Sequence, residues 1–288
     1  MNGGSADTPD KMVLLDGTEV PELVQASLAG GSVVAYTSRA PDKTTPNEDA
    51  VAFIPYGPGA AVLVVADGAG GLPAGRRASR TAVQTLEESL QLSMQKTSLL
   101  RTAILNGIEA ANHAVLALGT GAATTFTVVT IEGFLVRTYH IGDSEALVVG
   151  QRGVVKSQTM AHSPTGFAVE AGFLDHKDAL HHEERHLVSN FLGTSDMRID
   201  MGAEVKMRPR DTVLVASDGL TDNLHRQEVT ELIRKGPLTA AMNGLVSLVS
   251  RRMTVESASK PSKPDDLSII LFRKPQPAVK RKIKPDQG

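Results

Sequence analysis

Three observations predict an α+β domain built on antiparallel sheets. Strand patterns and helix patterns come in separate blocks, without the βαβα alternation of a doubly wound parallel sheet. The strand candidates are short apolar or β-branched runs closed by Gly, Pro or Asp. Hydrophobic residues make up 41% and charged residues 22% of 288 residues, the balance of a globular chain long enough to bury a sizeable core.

In chain order, residues 1–11 are polar and Gly-rich and are expected to be a mobile end. Ser32–Thr37, Ala50–Pro55 and Ala60–Ala66 read as strands. Two helices follow. Ala78, Ala82, Leu86, Leu90 and Met94 recur every four residues, and a second stripe runs from Leu100 through Ile104, Ile108, Ala111 and Val115 to Leu118, ended by Gly119. Ala123–Ile131, Phe134–His140 and Glu145–Val149 are three further strands, with Gln151-Arg152-Gly153 as a turn. A His-rich segment covers 160–190. Thr212–Ala216 is a strand, Val229–Lys235 and Leu238–Arg252 are helical, and Ser268–Phe272 closes the fold as a strand. With no linker or repeat inside 12–272, that stretch is expected to be a single domain. Residues 273–288 are expected to be a basic mobile tail.

Composition excludes several chemistries. Without Cys there is no disulfide scaffold, thiol nucleophile or Cys-ligated zinc. With no Trp and 3% aromatics, a base-stacking surface for nucleic acid is not expected. No apolar run is long enough to span a bilayer, so no membrane role is expected. MNGGSADTPDK lacks the basic-then-apolar pattern of a secretory signal, and a cytoplasmic location is expected. Charge is unevenly spread: residues 273–288 carry a net +5, which with an overall −2 leaves −7 on the rest.

Those acids sit at strand ends. Val62–Ala66 runs into Asp67-Gly68, and Val213–Ser217 runs into Asp218-Gly219. Continuous apolar runs imply strands buried on both faces. A Gly after the Asp permits a sharp turn and brings its carbonyl close to whatever the Asp binds. Gly142-Asp143-Ser144 lies between two strands, Glu48-Asp49 precedes Val51-Ala52-Phe53, and Asp265-Asp266 precedes Ile269-Ile270-Leu271. Each alone reads more readily as a turn former. Five together in one cleft would repel unless a cation or protons intervene, and oxygen-only ligands favour Mg²⁺ or Mn²⁺.

The ordered series Asn47-Glu48-Asp49, Asp67-Gly68-Ala69-Gly70-Gly71, Ala123-Thr124-Thr125, Gly142-Asp143-Ser144, Asn190-Phe191-Leu192-Gly193-Thr194, Ser217–Asp222 and Asp265-Asp266 resembles the metal-dependent protein Ser/Thr phosphatases of the 2C type, the PPM family, in its bacterial form. The resemblance spans roughly 30–272. It implies two antiparallel sheets packed as a sandwich flanked by helix pairs, with a cleft for two, and in bacterial-type members three, Mn²⁺ or Mg²⁺ ions. It implies that Asp67 bridges two ions, that the Gly68 carbonyl binds one, and that Asp218 and Asp265 hold the other. Glu48 and Asp49 would orient water or ligate, and Asp143 would join Asp218 at the third ion. Asp67, Asp218 and Asp49 are the catalytic candidates, and residues 162–192 would be a mobile flap. The implied reaction is hydrolysis of phosphoserine or phosphothreonine by a water activated between two metals. The implied partners are a phosphorylated protein and a Ser/Thr kinase.

Three positions depart from the family pattern. Thr44 stands where an Arg often grips phosphate, leaving Lys43 or Arg39 as substitutes, and a Lys lacks the bidentate fork. Ala69 replaces a common His, and Glu145 a common Arg. These departures support an alternative, a weak or inactive phosphatase-fold module that binds phosphoproteins. A rival signal, His182-Glu183-Glu184-Arg185-His186, matches the H-E-x-x-H zinc-protease pattern. Its charged inner positions favour a polar flap helix instead.

Overall fold

The computed structural model describes residues 9–16, 20–69, 74–96, 98–119, 121–180, 182–185, 187–255 and 260–276. The strands are β1 (Val13–Leu15), β2 (Glu22–Leu28), β3 (Gly31–Ser38), β4 (Ala50–Pro55), β5 (Ala60–Ala66), β6 (Gly68–Ala69), β7 (Ala123–Thr124), β8 (Phe126–Glu132), β9 (Leu135–Ile141), β10 (Glu145–Val149), β11 (Val155–Gln158), β12 (Asp200–Met201), β13 (Val205–Lys206), β14 (Thr212–Ala216) and β15 (Leu267–Arg273). The helices are α1 (Ala74–Gln95), α2 (Leu100–Leu116), α3 (Pro164–Glu170), α4 (His176–Ala179), α5 (Asp218–Thr221), α6 (Arg226–Ile233) and α7 (Leu238–Thr254). Residues 1–8 and most of the basic tail, 277–288, lie outside the described residues.

Two antiparallel sheets stack face to face. One runs β1-β4-β5-β8-β9-β12, with β13 also on β9; the other runs β11-β10-β14-β15-β3-β2. Alternation along each strand explains the continuous apolar runs. In β5, Leu63 and Val65 point between the sheets, against Val33, Val213, Val215, Ile270 and Phe272. Val62, Val64 and Ala66 point the other way, into α1 and α2. Leu214 and Ala216 of β14 likewise face α6 and α7. The layers are therefore helix pair, sheet, sheet, helix pair, and both faces of each central strand are dry.

Several boundaries differ from the sequence-based expectation. Ala123–Ile131 breaks at Thr125, because the Thr125 N–H leaves the ladder to reach the Asp67 carbonyl at 2.8 Å. The helix expected from Val229 starts at Arg226, where Glu228 turns back to accept the His225 N–H. The strands β1, β2, β11, β12 and β13 have no sequence-based counterpart. Most of β2 and all of β11 are only part-buried, so their apolar signal is diluted. Residues 183–185 form a turn, not the expected polar flap helix. Glu184 donates its N–H to the His182 ring, and His186 lies outside the described residues. No helix among the described residues is long and apolar enough to cross a membrane.

Candidate functional site

Strand register brings the five acidic segments to one end of the sandwich. Ala50 pairs with Ala66, which sets Asp49, just before β4, beside Asp67, just after β5. Val65 pairs with Thr127 and Phe126 with Ile141, which carries the Gly142-Asp143 turn to the same edge. In the other sheet, Ala216 faces Glu145 on one side and Ile269 on the other, so Asp218 and Asp265 leave and enter their strands at that edge too. Leu267 pairs with Ser38, placing half-buried Arg39 there as well.

Missing side chains make the close approaches possible. Neither Gly68 nor Gly219 has a positive φ, so the sharp-turn role expected of them does not apply. What they supply is space. A Cβ on Gly219 would lie 2.0 Å from the Asp266 carbonyl oxygen, and one on Gly68 2.3 Å from that of Gly75. Gly142 does need its freedom: φ is +104°, and a Cβ would also strike Thr125. At Gly75, in the first turn of α1, a Cβ would sit 2.5 Å from Glu48 Oε1 and 2.7 Å from the Gly68 carbonyl oxygen. Those two oxygens thus line a cradle that any other residue would fill.

The cluster is crowded with like charge. Burial pushes the Asp67 carboxyl well above the usual carboxylate range, and Asp49, Asp218, Asp143 and Asp265 push it further. Asp218 is raised by burial and Asp222, while Lys263 and a carboxyl–carboxyl contact with Asp67 oppose. Asp143 is raised by burial, then by Asp218 and Asp222. Asp265 is raised by burial and Asp218. Asp49 is 1% exposed, and neither of its oxygens has a hydrogen bond of ordinary length. Burial and Asp266 raise it, and the nearby Ser268 and Ser217 hydroxyls offset only part. Two bare carboxylates ~4 Å apart repel by about 4 kcal/mol at an effective dielectric of ~20. Proton uptake, which the raised pKa values describe, or a bound cation relieves such repulsion.

The backbone of Asp67 is braced from three directions. Its N–H donates to Thr125 Oγ1 at 3.0 Å, and its carbonyl accepts from Thr124 Oγ1 at 2.8 Å and from the Thr125 N–H. Thr125 Oγ1 also pairs with Ser144 Oγ at 2.7 Å, which ties the Asp143 turn to the same brace. Asp266 is fully spent inside the protein, on the Ala40 and Glu48 N–H groups and on Lys43 Nζ. Lys43 also pairs with Glu48 Oε2 at 3.0 Å, so the substitute for the absent Arg at Thr44 has its charge committed to two carboxylates. Glu145 is raised by burial, with Arg226 4.0 Å away opposing.

Lys263 and Asp222 are functional candidates that sequence reasoning gave no role. Asp222 stands four residues after Asp218, one helical turn on, a spacing that predicts a shared face. Lys263 stands two residues before Asp265. Its ammonium meets Asp218 at 2.7 Å and Asp222 and Asp265 at 2.9 Å each. Among the described residues, no three His, Asp or Glu side chains close around one point as a filled metal shell does. The ammonium separates the three that come nearest. The residues nonetheless fit a hard cation, since Asp49 Oδ1 and Oδ2, Asp218 Oδ1 and Glu48 Oε1 are buried oxygens without hydrogen-bond partners.

His162 staples the flap. Its carbonyl accepts from the Ser189 N–H and Oγ, which closes residues 162–189 into a loop, and its own N–H donates to the Gly142 carbonyl at 2.7 Å. Ser163 caps α3 through the Gly166 N–H. Between flap and α6 a cleft of about 1220 Å³ runs outward from Asp143, Asp218 and Asp222.

Beneath the staple lies His140, 1% exposed, its ring 4.7 Å from that of His162. Burial, then the His162 ring, lowers it from 6.5 to about 3. The folded state keeps it neutral, whereas the unfolded chain protonates it below ~6.5. Its contribution is thus intact above that pH and is lost as pH falls toward 3, about 1.4 kcal/mol per unit. His140→Gln is expected to flatten this slope, narrowing the urea-midpoint difference between pH 7 and pH 5 relative to the parent. Parallel profiles would refute the assignment.

The sequence profile of protein phosphatase 2C matches residues 39–254. The chain is 28% identical over 199 residues to protein phosphatase PhpP of Streptococcus pneumoniae, covering 66% of this chain and 80% of that one. The serine/threonine phosphatase PstP/Ppp of Mycobacterium tuberculosis has the same fold, with TM-score 0.69 and 23% identity over 85% of this chain and 98% of that one. The catalytic domain of the serine/threonine protein phosphatase PstP gives TM-score 0.63 at 23% identity, over 89% and 100%. Ordered motifs, layered architecture and matched profile agree: the chain belongs to the protein phosphatase 2C (PPM) family, bacterial type.

Proposed function

We propose that residues 12–272 work as one PPM-type phosphatase unit that hydrolyses phosphoserine and phosphothreonine in proteins, using Mn²⁺ or Mg²⁺. The observation that carries this is the convergence of Asp49, Asp67, Asp143, Asp218 and Asp265 at one sandwich edge, with buried carboxylate oxygens left without donors. The PstP catalytic domain in complex with 2 manganese ions supports it by analogy of fold. Bound here, such ions supply Lewis acidity that lowers the pKa of water and neutralises phosphoryl oxygens.

This chain's residues do the rest. Thr124, Thr125 and Ser144 fix the backbone of Asp67, a carboxylate that would hold the ions. Glu48 Oε1 and the Gly68 carbonyl face the Gly75 cradle as further oxygen ligands. Asp218 Oδ1 and Asp143 would complete the set, while Asp265 is engaged by Lys263 and by the Asp266 N–H. Asp49, whose oxygens have no hydrogen bond of ordinary length, is the carboxylate left to accept a hydrogen bond from the attacking water. The cleft between flap and α6 admits a protein segment rather than only a small ester.

The expected result is hydrolysis of p-nitrophenyl phosphate and of a phosphothreonine peptide with Mn²⁺, and none with EDTA. Metal-independent turnover would overturn the reading. A second reading, a phosphoprotein-binding module, draws on Thr44, on Ala69 and on the commitment of Lys43 to Glu48 and Asp266. Peptide binding without phosphate release would select it.

A further inference from the structure

Lys263 lies in the loop between α7 and β15, and its backbone is clamped. Asn223, fully buried, receives the Lys263 N–H on Oδ1 at 2.9 Å and donates Nδ2 to the Lys263 carbonyl at 2.8 Å. The same Nδ2 reaches the Gly219 carbonyl at 2.9 Å, which locks residue 263 to the helix that presents Asp218. Pro264 follows and restricts the chain further. From this fixed point the side chain delivers its ammonium to Oδ2 of Asp218, Asp222 and Asp265, donating a hydrogen bond to the first and forming ion pairs with the other two.

The acidic end therefore has two lobes. In the outer lobe an internal cation stands within 2.9 Å of three carboxylate oxygens and is hydrogen-bonded to that of Asp218. In the inner lobe Asp49, 1% exposed, offers two oxygens without partners, and Asp218 turns its second buried oxygen, Oδ1, away from the lysine. A charge tethered to the chain competes at high effective concentration, and a divalent ion entering beside it meets like-charge repulsion.

We infer that Lys263 is a built-in cation that fills the outer lobe and keeps a divalent ion out of it, so that this chain binds one divalent cation fewer than it would without the ammonium. The inference rests on the metal-dependent reading of the site, and the experiment separates the two. Mn²⁺ binding to the full chain is counted by calorimetry, and by electron paramagnetic resonance of free Mn²⁺, for the parent, Lys263→Met, Lys263→Gln and Lys263→Arg. Met and Gln variants are expected to bind one additional equivalent, or to tighten the weakest site at least tenfold, with Arg like the parent. Isotherms that coincide for all four, or weaker binding in Met and Gln, overturn the role of Lys263 while leaving the metal reading intact. No Mn²⁺ binding by any of the four overturns both.

A measurement on the unsubstituted protein covers the case in which the variants fail to fold. Pulsed acetylation of Lys263, read by peptide mass spectrometry, is expected to stay slow with and without Mn²⁺, because the ammonium keeps its place. Faster labelling on adding Mn²⁺ would show that the metal expels it, and would sink the inference.

Discussion

Asp67→Asn is expected to lower Mn²⁺-dependent phosphate release on the order of 10³-fold and, in the same protein, to raise the melting temperature measured in EDTA. On the metal-dependent reading of the site, the first effect follows from removing a carboxylate that would hold the ions, at a cost of several kcal/mol of transition-state charge stabilisation. The second follows from the metal-free cluster. Asp67 carries a raised pKa from burial and from four neighbouring carboxylates. A carboxyl raised above its unfolded value destabilises the fold as pH climbs past ~4, because the unfolded chain releases that proton first. Asn removes the charge and keeps the shape. The expected gain near pH 7 is roughly 1–3 kcal/mol, several degrees in Tm, shrinking toward zero at pH 4. Thermal melts in EDTA at both pH values, with phosphatase assays beside them, check the pair. Unchanged turnover, or a metal-free variant less stable than its parent at pH 7, would refute the placement of Asp67 at the centre of the cluster.

Gly219→Ala is expected to be among the most damaging single-methyl insertions in the chain. Its backbone φ is allowed for alanine, so strain in the dihedral is not the cause. The added Cβ would lie 2.0 Å from the Asp266 carbonyl oxygen and 2.9 Å from its carbon, and backbone cannot swing aside as a side chain can. Overpacking costs ~1–3 kcal/mol and more where relief requires main-chain movement, so a loss of 3 kcal/mol or above is expected in urea unfolding. Gly236→Ala is the control: φ is +84° and nothing lies within 4 Å, so the cost is the left-handed conformation alone, about 1 kcal/mol. Equal losses at the two sites would mean that α5 does not press on the Asp265–Asp266 backbone.

Much of this architecture was legible in the sequence. Runs such as Val62–Ala66 and Val213–Ala216 announce strands dry on both faces, and the acids that follow them announce an edge where strands end. The register that sets Asp49 beside Asp67, or Asp218 beside Asp265, was not legible, since pairing depends on contacts far apart in the chain. Nor was the division of labour in Asp265-Asp266, where Asp266 serves the Ala40 and Glu48 N–H groups and Lys43 while Asp265 faces Lys263. The motifs named Thr124, Thr125 and Ser144 without revealing that they brace Asp67. Lys263 escaped notice because a Lys in a polar loop carries no periodic signal.

The closure at His162 has a consequence for how this chain can change. Ser189 returns to the His162 carbonyl before the chain re-enters the body of the protein, so the excursion between them is anchored at its neck. Beyond that neck Arg185 reaches back to the Ser262 carbonyl at 3.3 Å, one residue before Lys263. A change of length within the excursion that spares the neck and Arg185 is thus expected to leave the edge that bears Asp67 and Asp218 in place.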